Sequence, residues 1–93
     1  MFYYKIKPNG LIIQWQYFAS KPSGYSEINL LLAFTNTNYY LGCESTNASA
    51  GIRMFACSIN TRTTKSFKMK AYQTDSGNEN EYTSSFVIFA IGY

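Results

Sequence analysis

The sequence contains no histidine. That absence removes the usual general base at neutral pH, the Ser-His and Cys-His nucleophile systems, and most zinc sites. Carboxylates are nearly as scarce: Glu27, Glu44, Asp75, Glu79 and Glu81 are all there are in 93 residues. Only 14% of residues are charged and the formal net charge is +3, far from the density of a nucleic-acid binder. Two cysteines, Cys43 and Cys57, are too few for a disulfide framework. On a single hairpin around the loop at 45–51, Cys43 would face Arg53 and Cys57 would fall about four residues beyond it, out of bridging range. Both therefore read as small core hydrophobes. No apolar run approaches the roughly twenty residues of a membrane-spanning helix, so no membrane insertion is expected. The opening MFYYKIKP lacks the apolar stretch of a secretory signal. Asn47-Ala48-Ser49 has the form of a glycosylation sequon and reads as a turn.

What the chain does have is nine Tyr, seven Phe and much Ser, Thr and Asn. Aromatic, β-branched and small hydroxyl residues favour strands over helices, and no long window carries apolar residues at helical spacing. The length allows one domain with one core. The expected fold is an all-β antiparallel sandwich of about six strands, near 10–18, 27–35, 39–44, 52–59, 66–73 and 83–92. Residues 1–9 form a linker or a short lead-in strand from an upstream shaft, and 10–93 a single sandwich domain.

Alternation along the first and last strands raises a packing question. Leu11, Ile13, Trp15 and Tyr17 share one face, and Ile12, Gln14, Gln16 and Phe18 the other. In the last strand Phe86, Ile88 and Ala90 oppose Val87, Phe89, Ile91 and Tyr93. One face can fill the sandwich. The second is mixed in the first strand and wholly apolar in the last, so it asks for cover. The economical cover is a second copy of the chain, which makes Ile12, Trp15, Phe18, Val87, Phe89, Ile91 and Tyr93 candidates for core or oligomer interface. Trp15 itself reads as core. With successive strands antiparallel, loops 19–26, 45–51 and 74–82 gather at one end. The N-terminus, the turns 36–38 and 60–65 and the C-terminus gather at the other. That asymmetry suggests a module held at its N-terminal end, with its long loops outward.

The stretch Pro8-Asn9-Gly10-Leu11-Ile12-Ile13-Gln14-Trp15 and the closing Ala90-Ile91-Gly92-Tyr93 resemble the C-terminal domain of bacteriophage tail-fibre proteins. Members typically open on P-N-G-L-I-I-Q-W-G and close on W-I-A-I-G-Y. The likeness covers the whole chain in layout and about a dozen residues in motif. Gln16 stands where glycine is usual, which bears on a bulge or turn there, and Ile88-Phe89 stands where Trp-Ile is common. The resemblance implies a trimeric β-sandwich at the fibre tip that touches the host surface. H-type lectins, small six-stranded sugar-binding sandwiches, look like a structural cousin. On this reading the partners are two further copies of the chain and a bacterial cell-surface glycan or surface protein, with no nucleic acid. The protein is carried on the virion, at the tail-fibre tip, after synthesis in the host cytoplasm.

The chemistry available suits adhesion, so no enzyme is expected. Glu79 and Glu81 sit in one loop and read as a solvated turn, not as the flanking carboxylate pair of a glycosidase. Asp75 to Glu81 is rich in oxygen ligands but does not follow the calcium-loop pattern, so neither a metal nor any other cofactor is expected. The basic group Arg62, Lys65, Lys68 and Lys70 alternates with apolar residues like an ordinary half-solvated strand. The sharper alternative is contact with phosphate-bearing surface glycans. Tyr25 and Tyr82 border long loops and are candidates to stack on sugar rings. Asn47, Ser49, Asp75, Asn78 and Asn80 are the polar groups to pair with them, each also an ordinary turn former. Two other readings are a free-standing H-type-like lectin and a trimerisation cap without a ligand.

Overall fold

The computed structural model describes residues 2–46, 52–57, 59–75 and 78–93. It is an antiparallel β-sandwich, as the composition led us to expect. Its strands are β1 (Phe2–Ile6), β2 (Ile12–Phe18), β3 (Ser26–Asn29), β4 (Tyr40–Ser45), β5 (Ile52–Cys57), β6 (Ser66–Asp75), β7 (Asn78–Glu81) and β8 (Phe86–Gly92). A 3-10 turn, Ile59–Thr61, follows β5. The first sheet runs β1-β2-β8-β4. In the second, β5 pairs with residues 69–74 of β6. That fills one edge of β6, so β3 (on 66–69) and β7 (on 72–75) share the other edge in tandem.

The hairpin β1–β2 begins the fold. Gly10 N–H closes on the Lys7 carbonyl at 2.9 Å, and Lys7 N–H on the Leu11 carbonyl at 2.8 Å. Gly10 has a φ of +89°, which only glycine adopts without strain, and together these make a short hairpin loop with a glycine bulge. Residues 2–6 are thus a hydrogen-bonded edge strand of the sandwich. Because β1 runs antiparallel to β2, Phe2 pairs with Gln16 and lies at the same end as the long loops. The expected separation of the chain's start from those loops is corrected accordingly. The strand expected over 27–35 is also shorter. After Asn29 the chain leaves the sheet, and Leu30, Phe34 and Tyr39 drop into the core from an irregular segment.

The core lies between the sheets. Phe86, Ile88 and Ala90 of β8 face Phe67, Met69 and Ala71 of β6, with Ile28, Leu30, Phe34 and Tyr39 closing one end. Phe34 and Tyr39 stack with ring centroids 4.5 Å apart, and Phe18 stacks on Phe86 at 5.1 Å. The first strand corrects the expected assignment of faces. Register pairs Ile12 with Gly92, Gln14 with Ala90, Gln16 with Ile88 and Phe18 with Phe86, so the mixed face of β2 turns inward. Gln14 is tolerated there because its amide exchanges two 2.9 Å hydrogen bonds with the backbone of Leu32. A buried amide that is fully paired avoids most of its desolvation penalty. Gln16 continues the ladder without a bulge, so the glycine usual at that position is not needed for the strand.

Candidate functional site

With Gln14 inside, Ile13, Trp15 and Tyr17 all turn outward. They fall in register with Ile91, Phe89 and Val87 of β8, and those in turn with Tyr40, Gly42 and Glu44 of β4. Trp15, expected in the core, therefore sits on the outer face, with its ring stacked on Tyr3 at a centroid distance of 4.5 Å. Ile12 and Phe18 belong to the core side, whereas Trp15, Val87, Phe89 and Ile91 form the outer face. Gly42 leaves a hollow of about 740 Å³ in this face, walled by Trp15, Tyr17, Tyr40, Val87 and Phe89. On β1, Phe2, Tyr4 and Ile6 point toward the core side yet remain 59%, 49% and 58% exposed, at the free edge of the sheet.

The loop candidates scatter. Tyr25 is 58% exposed and stands on a tightly held loop. Lys21, buried in that loop, donates from Nζ to the carbonyls of Pro22 (2.7 Å) and Gly24 (2.8 Å). Gly24 N–H donates to Glu81 Oε1 and so ties the loop to β7. Burial lowers the Lys21 pKa, against the raising influence of Glu81. Asn80, exposed in β7, is the chain neighbour of that anchoring Glu81. Tyr25 and Asn80 are therefore brought to one flank, at the junction of β3, β7 and β6.

Tyr82 is different, and its place corrects the expectation of a sugar-stacking ring. It is 1% exposed. Its hydroxyl donates to the Ser85 carbonyl at 2.6 Å and shares a 2.8 Å hydrogen bond with Ser45 Oγ. Phe55 meets its ring edge-on and Arg53 lies over it at 4.9 Å, so no face is left for a ligand. Asp75 and Asn78 pair with each other across the end of the β6–β7 hairpin, and only their backbone is described. Asn47 and Ser49 lie outside the described residues.

A third feature lies at the open side of the sandwich, where the edges of β4 and β5 face each other from different sheets. Leu41 and Cys43 point inward from β4, and Arg53, Phe55 and Cys57 from β5. Together with Tyr40, Gly42 and Arg62 they line a cleft of about 550 Å³. Arg53 enters near Tyr82. Arg62 enters from the other end, its guanidinium 4.9 Å over the Tyr39 ring and donating from Nη1 to the Tyr39 carbonyl. The Nε of Arg62 is enclosed and finds no acceptor among the described residues. The cysteines meet mid-cleft, which corrects the hairpin geometry that would have kept them apart. Both are free thiols. Interaction with the Cys57 sulfur, with burial added, pushes the Cys43 thiol far up. The same interaction, helped by the charge of Arg62, lowers Cys57 against its burial.

The basic group expected from the sequence is split by the fold. Lys68 and Lys70 face outward from β6, opposite Glu27 and Ala56, while Arg62 turns into the cleft. Arg53, which the basic group does not include, also enters the cleft; its alternation with Phe55 and Cys57 puts a cation on an apolar face, a signal readable in the sequence.

The two ends that carry the sequence resemblance meet in space. Asn9 Oδ1 accepts the Leu11 N–H at 3.2 Å, its Nδ2 donates to the Tyr93 hydroxyl at 3.4 Å, and Ile12 pairs with Gly92. The family described as "Putative tail fiber protein gp53-like, C-terminal" matches residues 5–93. The chain belongs to this family. No curated protein and no solved structure matches it. The domain is accordingly part of a phage tail fibre and is carried on the virion. The residues that carry the resemblance build the β1–β2 turn and the β2–β8 pairing of the tail-fibre domain, so they belong to its scaffold.

Proposed function

We propose that this domain is the distal, receptor-binding part of a tail fibre, working as a homotrimer that adheres to a bacterial surface glycan without a chemical step. The observation that carries the reading is the outer face of β1-β2-β8-β4. On its two central strands Ile13, Trp15, Tyr17, Val87, Phe89 and Ile91 form a continuous apolar surface, one that belongs against another chain. A fibre gives that chain as another copy, and a closed ring of copies uses the same patch three times. Tyr3 on the neighbouring edge strand, stacked on Trp15, extends the same apolar surface. Assembly through this face leaves the flank with Tyr25 and Asn80 outside, where an aromatic ring and an amide suit the C–H face and hydroxyls of a sugar. Three such sites per tip multiply weak contacts into firm adhesion.

The test is light scattering on the domain and on Phe89→Glu, together with binding of each to host cells. A mass of three chains for the parent, with a folded monomer for Phe89→Glu that no longer holds to cells, is the expected result. A parent that stays monomeric at micromolar concentration overturns the trimer. Full cell binding by Tyr25→Ala and Asn80→Ala together would overturn that flank as the site, whereas a trimeric parent that does not bind cells would favour a cap without a ligand.

A further inference from the structure

We propose that the cleft between β4 and β5 is a binding site for an acidic sugar chain, whose carboxylate or phosphate oxygens are taken by Arg53 and Arg62. It is separate from the Tyr25 flank and opens on the opposite edge of the second sheet.

Three observations support it. First, the charge is one-sided. Among the described residues the lining holds two guanidinium groups and no carboxylate, and Glu44, the acidic residue of β4, is registered with Val87 on the opposite face. Guanidinium is the side chain best shaped to hold carboxylate or phosphate through paired N–H donors. Second, the arginines are fixed before any ligand arrives. Arg53 rests on Tyr82 and Arg62 on Tyr39, rings that are themselves buried and hydrogen-bonded. Arg62 is further held by the Tyr39 carbonyl, with its Nε enclosed and lacking an acceptor among the described residues. An enclosed N–H donor without a partner is costly, and an anion in the cleft would supply one.

Third, size and shape suit a chain more than a lone ion. A volume of about 550 Å³ is that of a small-molecule site. Arg53 lies four residues from Cys57 along β5, about 13 Å at strand rise, and Arg62 reaches Cys57 from the far end. The two cations therefore stand apart along the cleft, as successive acidic groups on an oligosaccharide do. Tyr40, 66% exposed at the rim, offers a ring for sugar stacking. The positive field reaches the middle of the cleft, where Arg62 helps to lower the pKa of Cys57.

The sugar identity rests on the adhesion reading, whereas anion capture by the cleft does not. The test uses the whole chain, isotopically labelled, in low salt. It is titrated with a galacturonic acid trimer, with a glycerol phosphate oligomer, and with neutral maltotriose. The expected result is movement of the Arg62 Nε–H and Cys57 amide signals with an acidic probe and none with maltotriose. Arg53→Gln should weaken binding by about tenfold or more, the loss expected for a charged hydrogen bond. Which acidic arm binds identifies the carboxylate or phosphate source, and binding of both supports recognition of the shared anionic oxygens. Arg62→Gln also removes a core contact, so a second readout uses the parent protein. A bound acid screens Arg62 and should slow iodoacetamide labelling of Cys57. Acidic probes that move no cleft signal and leave that rate unchanged overturn the proposal, as does parent-like affinity in Arg53→Gln. Loss of cell binding in Tyr25→Ala with the cleft titration intact would bear on the flank alone.

Discussion

The side-chain amide of Gln14 and the backbone of Leu32 exchange two hydrogen bonds, Nε2–H to the carbonyl and N–H to Oε1, each 2.9 Å long. This pair ties β2 to the irregular segment after β3 and lets the polar-looking face of β2 turn inward. Gln14→Leu should therefore destabilise the fold by roughly 1–3 kcal/mol, since it strands the Leu32 groups while adding apolar bulk. Chemical denaturation of both proteins measures it. Unchanged stability would mean that Leu32 finds other partners.

Gly92 is required for a different reason. A Cβ there would lie 2.6 Å from Tyr39 Cβ, 3.0 Å from Tyr39 Cα and 3.2 Å from Phe34 Cδ1. Two of those atoms belong to the stem of a buried residue and cannot swing away. Gly92→Ala should cost about 1–3 kcal/mol as an overpacked core. Thermal unfolding is the check, and Gly42→Ala, with nothing nearer than 3.6 Å to its Cβ, is the mild comparison.

The phenol of Tyr39 donates to the carbonyls of Thr63 (2.9 Å) and Ser66 (3.1 Å), and burial raises its pKa above the ordinary 10.0, against the lowering influence of Arg62. The unfolded chain then loses this proton first. The stability contributed by Tyr39 is fully present below its ordinary pKa and is lost as pH climbs through the folded value. Lys21 has the opposite sign, because its lowered pKa relieves a cost as pH rises. Denaturation midpoints from about pH 7 to 11 should show a steeper alkaline decline in the parent than in Tyr39→Phe. Parallel curves would remove Tyr39 from the account.

Cys57 should react before Cys43. Interaction between the two sulfurs favours the Cys57 thiolate and holds the Cys43 proton in place, and Arg62 adds to the first effect. Thiolate is the nucleophilic form. Limited iodoacetamide treatment followed by peptide mass spectrometry should find label on Cys57 first, and more slowly in Arg62→Gln. Equal labelling of both cysteines would contradict the pairing.

The sequence by itself determined the class of this protein. Strand-forming composition and turn chemistry at Pro8-Asn9-Gly10 are local properties, and they suffice for an antiparallel β fold with a hairpin at its start. The shortage of charge and the apolar second face of 86–93 were legible for the same reason, since alternation needs only neighbouring residues. Which face of β2 goes inside was not legible. That depended on Leu32, eighteen positions away, offering its backbone to Gln14. Likewise Tyr82 borders a loop in the sequence, and only the packing of Phe55, Arg53 and Ser45 around it makes it core. A hairpin of neighbouring strands in one sheet would keep the cysteines apart. Instead β4 pairs with β8 and β5 with β6, which turns a supposed hairpin into the two lips of a cleft. Local patterning sets the elements, because backbone geometry is decided residue by residue. Their partners are chosen by long-range burial, and that is where the arginine cleft arises.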